Sequence, residues 1–497
     1  MRKKTKTIYQ EEVLKAIEEG INELVNPVIL TMGARGGNGG YMDGFPVVTN
    51  DGISIARSIF PENQFNRYFA DLALQAAERT NIEVSDSTSA TLSLSKSIAL
   101  AGVKLIRDGK DCMELRNEMS AEADLIVEKI KEKSIPVTTR EQLLNIAQIS
   151  VENREIAEIV TDATEKAGNY GSVVVEEGNG KGMEIEEVKG YGWDQGYISQ
   201  TMVTNPRKME AVLEDCAVVV TDKHMNQNKD LLGLLTDMHS KGVKNFLVVA
   251  DNIEGDLLAT FIQNKLKNII TVIAVKRPQT YDELEDIATL VGATAVTRQS
   301  GIKQIEKIHL GFAKKIVVTD KKTTILTDDS PALQERVSNL IDLAKTDDSV
   351  KERLGRLTDG KIILRVGAKT EADRNYLKLK VDDAVGACRA AKEEGSTDGG
   401  GVTLKDISKE LEGKLPILGD AILSPYQNIL SNAKITPDGK NYDVLKKEEV
   451  KNMTEAGIID SSKGVRCAIE NSVSFAKTAL TMKTLTLPIE EVQESEK

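Results

Sequence analysis

The stretch TMGARGGNGGYMDGFPVVTNDGISIAR, residues 31–57, says more about the fold than any other part of the chain. A glycine-dense turn follows an amphipathic segment, and a short apolar strand at residues 45–48 then leads to Asn50-Asp51-Gly52. Glycine lets a backbone approach a bulky group and adopt positive φ without penalty. An aspartate at the end of a strand is well placed to face a metal-bound phosphate. Because the same residues are common turn formers, two ordinary turns remain an open alternative.

Three further aspartates stand in comparable settings. Asp86 lies in a polar turn, residues 85–91, which opens a predicted helix whose first amides are suited to hold an anion. Asp383 stands on a predicted helix that leads to three consecutive glycines, 399–401, and Asp460 closes the segment 456–460. The recurrence of this setting favours one composite site over isolated turns.

The order and setting of these segments resemble those of a group I chaperonin of the GroEL type. The turn at residues 31–38 is similar to the family's TLGPKGRN, residues 50–54 to its KDGVS, and residues 86–88 to the centre of its GDGTTT. Further similar segments lie at residues 254–260, 286–294, 389–395 and 453–460. The resemblance therefore covers nearly the whole chain.

The bulk properties agree with a large globular protein. With 497 residues the chain is too long for one compact core, so several domains are expected. Hydrophobic residues make up 40% and charged residues 29%. The net charge of −12 disfavours nucleic acid or an anionic membrane as a partner. We found no uninterrupted apolar run of about 20 residues, the length that a membrane span needs.

The cysteines and histidines limit the kinds of site that the chain could form. The four cysteines are scattered without CxxC spacing, which indicates buried thiols in a reducing compartment, not disulfides or a zinc site. The three histidines form no catalytic pattern, so we expect any catalytic residues to be aspartates or glutamates. The basic start of the chain has no apolar segment behind it and does not predict a secretion signal. These features predict a cytoplasmic protein, in a bacterium or, for a viral protein, in its host.

Periodicity separates the two ends of the chain from its middle. Apolar residues recur at helical spacing near both termini, at Val13, Ile17, Ile21 and Leu24 and again at Ile469, Val473, Ala476 and Leu480. Between them, short apolar strands alternate with helices, which predicts an α/β insert. The strand candidates are residues 172–176, 217–221, 246–250, 270–275, 293–297, 315–319 and 362–366, and the main helix candidates are 229–240 and 255–267. Neither a complete GxGxxG nor a GxxxxGK[ST] motif occurs, so Rossmann and P-loop folds have no support.

The resemblance implies a multidomain fold with three parts. A mainly α-helical equatorial domain that binds ATP takes residues 1–134 and 396–497. A small α+β intermediate domain takes residues 135–189 and 361–395, and an α/β apical domain that binds substrates takes residues 190–360.

The resemblance also implies ATP hydrolysis with Mg²⁺ and K⁺ as cofactors. Asp383 is implied as the residue that activates the attacking water, with Asp51 as a second catalytic carboxylate, and Asp86, Asp51 and Asp383 are implied around the metal. The implied nucleotide-binding residues are Thr31, Met32, Gly33, Ala34, Asn50, Asp86, Ser87, Thr88, Ser89, Gly400 and Asp460. Backbone carbonyls of Thr31 and Asn50 are implied to hold the K⁺ ion.

One departure bears on the rate of hydrolysis. Where the family has GDGTTT, this chain has Ser85-Asp86-Ser87-Thr88-Ser89-Ala90. The serine hydroxyls can still form hydrogen bonds and cap a helix. The loss of the glycines, however, restricts the backbone conformations that this turn can adopt. We therefore expect ATP binding to persist with slow turnover.

The resemblance further implies a surface that captures unfolded polypeptide clients. Its matching residues are Tyr197, Met202, Leu232, Leu235, Leu258 and Ile262. Core packing on amphipathic helices is the alternative interpretation of these apolar residues. A co-chaperonin is a further partner that the resemblance implies.

Assembly as a heptameric ring is implied, with two departures. The segment between Asn432 and Tyr442 is shorter than in the family, where it carries contacts between stacked rings, and the C-terminus is acidic and lacks Gly-Gly-Met repeats. These departures predict a single ring or a weakly paired double ring. Two other functions stay open, namely a chaperonin-like holdase or scaffold that barely hydrolyses ATP and an unrelated α/β metabolic enzyme.

Overall fold

The computed structural model describes residues 4–488, except 169–171, 179, 181, 207, 303, 329, 344–348 and 359–360. The helices are α1 (Gln10–Ile29), α2 (Gly52–Arg57), α3 (Gln64–Val84), α4 (Thr88–Arg107), α5 (Cys112–Lys133), α6 (Arg140–Val151), α7 (Arg154–Ala167), α8 (Leu232–Ser240), α9 (Gly255–Leu266), α10 (Tyr281–Val291), α11 (Pro331–Leu343), α12 (Ser349–Thr358), α13 (Glu371–Glu394), α14 (Val402–Glu410), α15 (Ser424–Asn432) and α16 (Ser462–Leu480).

The strands are shorter and fall mostly in the middle of the chain. They are β1 (Thr5–Tyr9), β2 (Gly39–Asp43), β3 (Phe45–Thr49), β4 (Ser172–Glu177), β5 (Met183–Trp193), β6 (Ala211–Val220), β7 (His224–Met225), β8 (Asn245–Ala250), β9 (Asn252–Ile253), β10 (Thr271–Lys276), β11 (Gly311–Val318), β12 (Thr323–Thr327), β13 (Lys361–Val366), β14 (Ser396–Asp398), β15 (Tyr442–Asp443), β16 (Glu448–Glu449), β17 (Ile459–Ser461) and β18 (Thr484–Pro488).

The chain divides into two compact units. The first spans Met1–Asp162, Asn179–Gly182 and Val366–Lys497, and the second spans Ala163–Gly178 and Met183–Arg365. The first unit thus contains both ends of the chain, as the helical periodicity at the two termini indicates. The division into three domains stays a prediction. Residue 360, its predicted apical boundary, lies outside the described residues, and so does the acidic segment 490–497.

Long amphipathic helices build the first unit. Helix α16 packs against α3, α4 and α5, while α1 packs against α3 and α4. The predicted apolar faces are confirmed, because Val13, Ile17 and Ile21 of α1 and Ile469 and Val473 of α16 are all buried in one hydrophobic core. Burial of these side chains is the main source of stability for such helices.

Helix α4 carries an apolar composition that needs its own explanation. Among the helices of the described residues, it reaches the length and composition of a membrane-spanning helix. Half of its most apolar window is buried inside the protein, where α4 contacts α1, α3 and α16. Leu92, Leu94 and Ile98 are fully buried there. This is the packing of a core helix, and it accounts for the composition without a membrane.

Short strand pairs position the loops of the first unit. Strands β1 and β18 pair antiparallel and bring the two ends of the chain together. Strands β2 and β3 form a hairpin that leads to Asp51, and β14 pairs with β17 so that Thr397 lies opposite Asp460. These pairs fix where the glycine-rich turn and Asp460 leave regular structure.

A mixed sheet organises the second unit. Its described strands follow the order β10-β8-β6-β11-β12-β5-β13-β4. The pairs β10–β8 and β8–β6 are parallel, whereas β6–β11, β11–β12 and β12–β5 are antiparallel. Along β6, Cys216 and Val218 join one apolar cluster while Ala217 and Val219 join another. Alternating residues of a strand point to opposite faces, so apolar clusters cover both faces of this sheet.

Most of the predicted strands are confirmed, but one is wrong. Residues 293–297 form no strand, and their backbone pairing is the bridge between Thr221 and Val296. The segment is apolar because Val296 is buried in the core. An apolar pattern alone cannot distinguish a buried loop from a strand that pairs with the sheet. The predicted helix 229–240 begins later, as α8 at Leu232, after a short 3₁₀ turn at Asn228–Asp230.

Candidate functional site

The turn after β3 holds Asp51 in a defined geometry. Asp51 is the N-cap of α2, and its Oδ2 accepts a hydrogen bond from the Ser54 amide at 3.1 Å. The Asp51 amide in turn donates to Thr49 Oγ1 at 3.0 Å. The residue is buried. Asn-Asp-Gly therefore forms a capped helix start and not a loose turn.

The turn between α3 and α4 has a conformation that glycine would adopt more easily. Ser85 and Ser87 have φ of 62° and 65°, in the left-handed region. Non-glycine residues pay a steric penalty there. The backbone is held by close packing, because a Cβ on Gly386 would lie 2.4 Å from the Ser85 Cβ and one on Gly464 would lie 2.5 Å from the Ser87 Oγ. The serines thus occupy a glycine-like loop that neighbouring elements enforce.

These two turns contact each other. A Cβ built on Gly52 would lie 2.1 Å from Ser89 Oγ and 3.2 Å from Val28 Cγ1. Gly52 begins α2 directly after Asp51, and Ser89 lies in the first turn of α4. The absence of a side chain at Gly52 is what lets the Asp51 turn approach the N-terminus of α4.

Asp86, Asp51 and Asp383 form one electrostatic cluster. Burial raises the pKa of Asp383 well above its usual value, and the charges of Asp51 and Asp86 raise it further, while Lys380 lowers it. Burial likewise raises the pKa of Asp86, against hydrogen bonds from Ser87 and Ser150 and the charge of Lys380, which lower it. The three carboxylates that the sequence analysis assigned to the metal and to catalysis therefore lie close enough to influence one another's charge.

Both carboxylate oxygens of Asp86 accept hydrogen bonds. The Ser87 amide donates to Oδ1 at 2.5 Å, and Ser150 Oγ donates to Oδ2 at 3.2 Å. Ser150 lies near the end of α6. Asp86 is thereby oriented by its own loop and by a second element. Thr88, next along the loop, is buried at the start of α4.

A polar network adjoins the carboxylates. Glu152 Oε1 accepts hydrogen bonds from Lys380 Nζ at 3.0 Å and from Asn50 Nδ2 at 3.2 Å. Tyr376 donates its hydroxyl to Asn50 Oδ1 at 3.3 Å. Glu152, Tyr376 and the Asp383 charge together raise the pKa of Lys380 despite its burial. The raised pKa favours the charged form of Lys380, which interacts with Asp86 and Asp383.

Asp460 lies at another side of the same site. It is on β17, and the Gly400 amide donates a hydrogen bond to its carboxylate. Burial and then the charge of Asp86 raise the pKa of Asp460 to about 7. Gly400 itself has φ of 67°, and a Cβ there would lie 3.5 Å from Met453. Asp460 and Asp86 are thus close enough to influence each other's ionisation.

The glycine-rich turn after α1 is held by α15. Gly33 has φ of 80°, and a Cβ there would lie 3.0 Å from Ile429. Asn432 Nδ2 donates to the carbonyls of Ile29 and Met32, at 2.7 and 2.9 Å. Thr31 is buried and Ala34 is exposed. This turn is therefore fixed in place beside the rest of the site's backbone.

The donors of this site suit a magnesium ion. Mg²⁺ prefers oxygen ligands and is usually bound through one or two carboxylates together with substrate phosphates. The repulsion among Asp51, Asp86 and Asp383 is what a divalent cation would relieve. Within the described residues, no three acidic, histidine or cysteine side chains form a ready-made metal cage.

Several contributors to the site escaped the sequence analysis. They are Ser150, Glu152, Tyr376 and Lys380. Lys380 carried a readable signal, because it stands three residues before Asp383 on the same helix and so shares its face. Tyr376 carried the same signal, because it stands four residues before Lys380 on that helix. Ser150 and Glu152 are joined to the site by contacts across long sequence separations.

The residues assigned to client capture divide into two groups. Tyr197, Leu232, Leu258 and Ile262 are partly exposed on the second unit. Met202 and Leu235 are instead buried in its core, where the Ala274 amide donates to the sulfur of Met202 at 3.3 Å. Because a buried side chain offers no surface to a partner, the structure assigns these two to core packing.

Comparisons with known proteins agree with this architecture. The model of the TCP-1/cpn60 chaperonin family matches residues 28–416. Two crystal structures of the chaperonin gp146 from bacteriophage EL 2 (Pseudomonas aeruginosa), both in the presence of ATP-BeFx, have the same fold. Crystal form II has a TM-score of 0.71 at 18% identity, and crystal form I has 0.65 at 17%; each alignment covers 97% of this chain and 99% of gp146. The chain belongs to the TCP-1/cpn60 chaperonin family.

Proposed function

We propose that this protein is an ATP-dependent chaperonin that binds non-native polypeptides and promotes their folding within a ring of identical subunits. The observation that carries the proposal is the meeting of Asp51, Asp86 and Asp383 beside the N-terminus of α4. Membership of the chaperonin family and the likeness to gp146, which was crystallised with ATP-BeFx, support nucleotide binding.

The phosphates of ATP would lie against the start of α4. The amides of a helix N-terminus bind anions, and Thr88 and Ser89 add hydroxyl groups. Asp86 and Asp51 would hold Mg²⁺, which would neutralise phosphate charge. Thr31 and Asn50 would supply backbone carbonyls to K⁺. These contacts would hold the phosphate chain in place while water attacks the terminal phosphorus.

Asp383 would orient the attacking water and accept its proton. Its raised pKa suits a proton acceptor, because a general base works best when its pKa lies near the operating pH. Lys380 would limit that rise through its charge. Asp460 would accept hydrogen bonds from the ribose hydroxyls, with Met32, Gly33 and Gly400 as the adjoining backbone.

Client capture would use the second unit. The partly exposed residues Tyr197, Leu232, Leu258 and Ile262 offer apolar surface of the kind that recognises unfolded chains without sequence specificity. The buried residues Met202 and Leu235 would support that surface from below. A co-chaperonin would compete for the same surface. The buried free thiols agree with work in the reducing cytoplasm.

The decisive experiment measures phosphate release from ATP with and without Mg²⁺ and K⁺. We expect turnover by the native chain to fall at least 100-fold in Asp383→Ala, within the range for loss of a general base, while ATP still binds. Asp382→Ala is the matched control, because it removes a neighbouring carboxylate from the same helix, and we expect it to retain most of the activity. Equal turnover in the native chain and in Asp383→Ala would contradict the proposal.

A holdase is the second candidate function. The serines at positive φ in the phosphate turn favour it, since they replace the residue type that the turn's backbone requires. Suppression of client aggregation to the same degree with and without ATP, together with negligible turnover, would support the holdase. Suppression that ATP relieves would support the ATP-driven cycle.

A further inference from the structure

Arg35 joins two segments that lie far apart in the sequence. Its Nη2 donates a hydrogen bond to the Leu445 carbonyl at 2.6 Å, and its Nε lies 3.4 Å from the Val444 carbonyl. Both acceptors belong to the backbone, so the contact fixes the course of the chain at these positions whatever their side chains. One side chain thus connects the glycine-rich turn to the segment that follows β15.

Hydrogen bonds hold the turn that carries Arg35. The Gly36 amide donates to the Gly33 carbonyl at 2.8 Å, which closes the turn around Arg35. Asn432 holds the Met32 carbonyl from α15 at 2.9 Å. The arginine therefore extends from a turn that is hydrogen-bonded both internally and to α15.

Arg35 contacts the segment of residues 443–446, which we call the base loop. Asp443 Oδ1 accepts the amides of Leu445 and Lys446 at 3.0 and 3.2 Å, which stabilises the bend. Val444 packs against an apolar cluster that includes Met453. The base loop thus has its own internal hydrogen bonds, and Arg35 links it to the glycine-rich turn.

The base loop lies on the Asp460 side of the site. Met453, which shares a cluster with Val444, is the side chain that a Cβ on Gly400 would contact at 3.5 Å. The Gly400 amide in turn donates to Asp460. On another side, Asp460 interacts by charge with Asp86, one of the carboxylates proposed for the metal. Through Met453 and Gly400, the base loop is therefore linked to the Asp460 side of the site, and Arg35 links it to the glycine-rich turn.

We propose that Arg35 is a positioning residue for nucleobase recognition, which it serves by holding the base loop against the glycine-rich turn. This inference rests on the proposed function, because it assumes that a nucleotide binds with its ribose at Asp460. The guanidinium contributes to the affinity for the base and leaves the phosphate contacts unchanged.

The test compares two ligands that differ in whether they carry a base. Binding of ATP and of inorganic tripolyphosphate, each with Mg²⁺, is measured by titration calorimetry on the full chain. For Arg35→Ala we expect about tenfold weaker ATP binding, the size expected for losing one or two hydrogen bonds from a charged donor. Tripolyphosphate should bind within about twofold of the native value, and Arg35→Lys, which keeps one donor group, should recover part of the loss.

Arg67→Ala is the matched control. Arg67 also donates to two successive carbonyls, those of Pro61 and Glu62 at 2.9 and 3.5 Å, but in the loop before α3. We expect it to leave both affinities unchanged. A circular-dichroism melt checks that Arg35→Ala is folded, and Arg35→Gln replaces it if it is not.

The outcomes separate this inference from the proposed function. Equal losses for ATP and tripolyphosphate would overturn the inference, because they would show that Arg35 acts through its charge on the phosphates. Unchanged ATP binding in Arg35→Ala would also overturn it. If the native chain binds neither ligand, the proposed nucleotide site itself fails, and this inference fails with it.

Discussion

Asp460 is the aspartate of the site whose pKa lies near physiological pH. Burial raises that pKa from 3.8 to about 7, against a hydrogen bond from the Gly400 amide. Between these two values the folded protein binds a proton that the unfolded chain has released. Stability is therefore greatest at the acid end of this window and falls as the pH rises towards 7, after which the effect is constant.

Asp460→Asn should remove this pH dependence. We expect the nucleotide-free variant and the native chain to melt at similar temperatures at pH 5, where Asp460 is mostly protonated. At pH 8 the variant should melt higher, because it no longer buries a charge. The measurement is the melting temperature from pH 5 to pH 8.

Asp438→Asn is the control for that series. A backbone hydrogen bond from Lys440 lowers the pKa of Asp438, so its ionised form stabilises the folded state. Its replacement should give no stability gain that grows with pH. A constant difference between Asp460→Asn and the native chain across the range would contradict the assignment.

At the scale of single residues, local patterns predicted the acidic core of the site and missed its supports. Each aspartate stands in a short turn or helix whose residues are adjacent in sequence. Ser150 contacts Asp86 from α6, and Glu152 contacts Asn50 and Lys380 from two other segments. Such contacts depend on tertiary packing, which no local pattern encodes. The functional roles of the aspartates stay predictions.

The turn between α3 and α4 shows how packing can override conformational preference. Ser85 and Ser87 both adopt positive φ, a conformation that costs a non-glycine residue about 1–2 kcal/mol. Helices α13 and α16 enforce it through the close approach of Gly386 and Gly464. The turn therefore contains strain that a glycine would remove.

Ser87→Gly should stabilise the nucleotide-free protein by about 1 kcal/mol, because relief of the left-handed strain outweighs the extra freedom of glycine in the unfolded chain. Urea unfolding measures the change. Ser474→Gly is the control, since Ser474 is exposed within α16 and glycine there should cost about 0.5 kcal/mol. If Ser87→Gly instead loses as much stability as Ser474→Gly, the inference that the turn is strained is wrong.

At the scale of elements, the apolar pattern predicted where most strands lie but not the residues at which they begin and end. The predicted strand 217–221 is the end of a longer strand, β6, that begins at Ala211. Strand β5, Met183–Trp193, went unpredicted, because its first half carries the charged residues Glu184, Glu186 and Glu187. Period-two alternation finds half-buried strands best when their polar positions are regular. Pairing partners, which fix both limits, are not visible in a local window.

Charge and loop length decide the expected assembly of the whole molecule. Each chain carries a net charge of −12, so two stacked rings would repel each other at low ionic strength. The connection from α15 to β15 is short, residues 433–441, and offers little surface for ring pairing. We therefore predict a single heptameric ring or a weakly paired double ring.

Native mass spectrometry with a salt series tests this prediction. Seven-subunit particles should dominate at low ionic strength without nucleotide, and salt should increase any fourteen-subunit fraction by screening the charge. A fourteen-subunit particle that persists at low salt without nucleotide would rule the prediction out.

The contact between Gly52 and Ser89 makes these two positions epistatic. A methyl group on Gly52 would meet the Ser89 hydroxyl at 2.1 Å, so Gly52→Ala should disturb both the Asp51 cap and the start of α4. Once Ser89→Ala removes that hydroxyl, the nearest remaining atoms stand at 3.2 Å, and the same methyl group becomes tolerable. A double-mutant cycle on unfolding free energy should therefore show strong positive coupling. We therefore expect mutational paths through this site in which Ser89 changes first to cost less stability than paths in which Gly52 changes first.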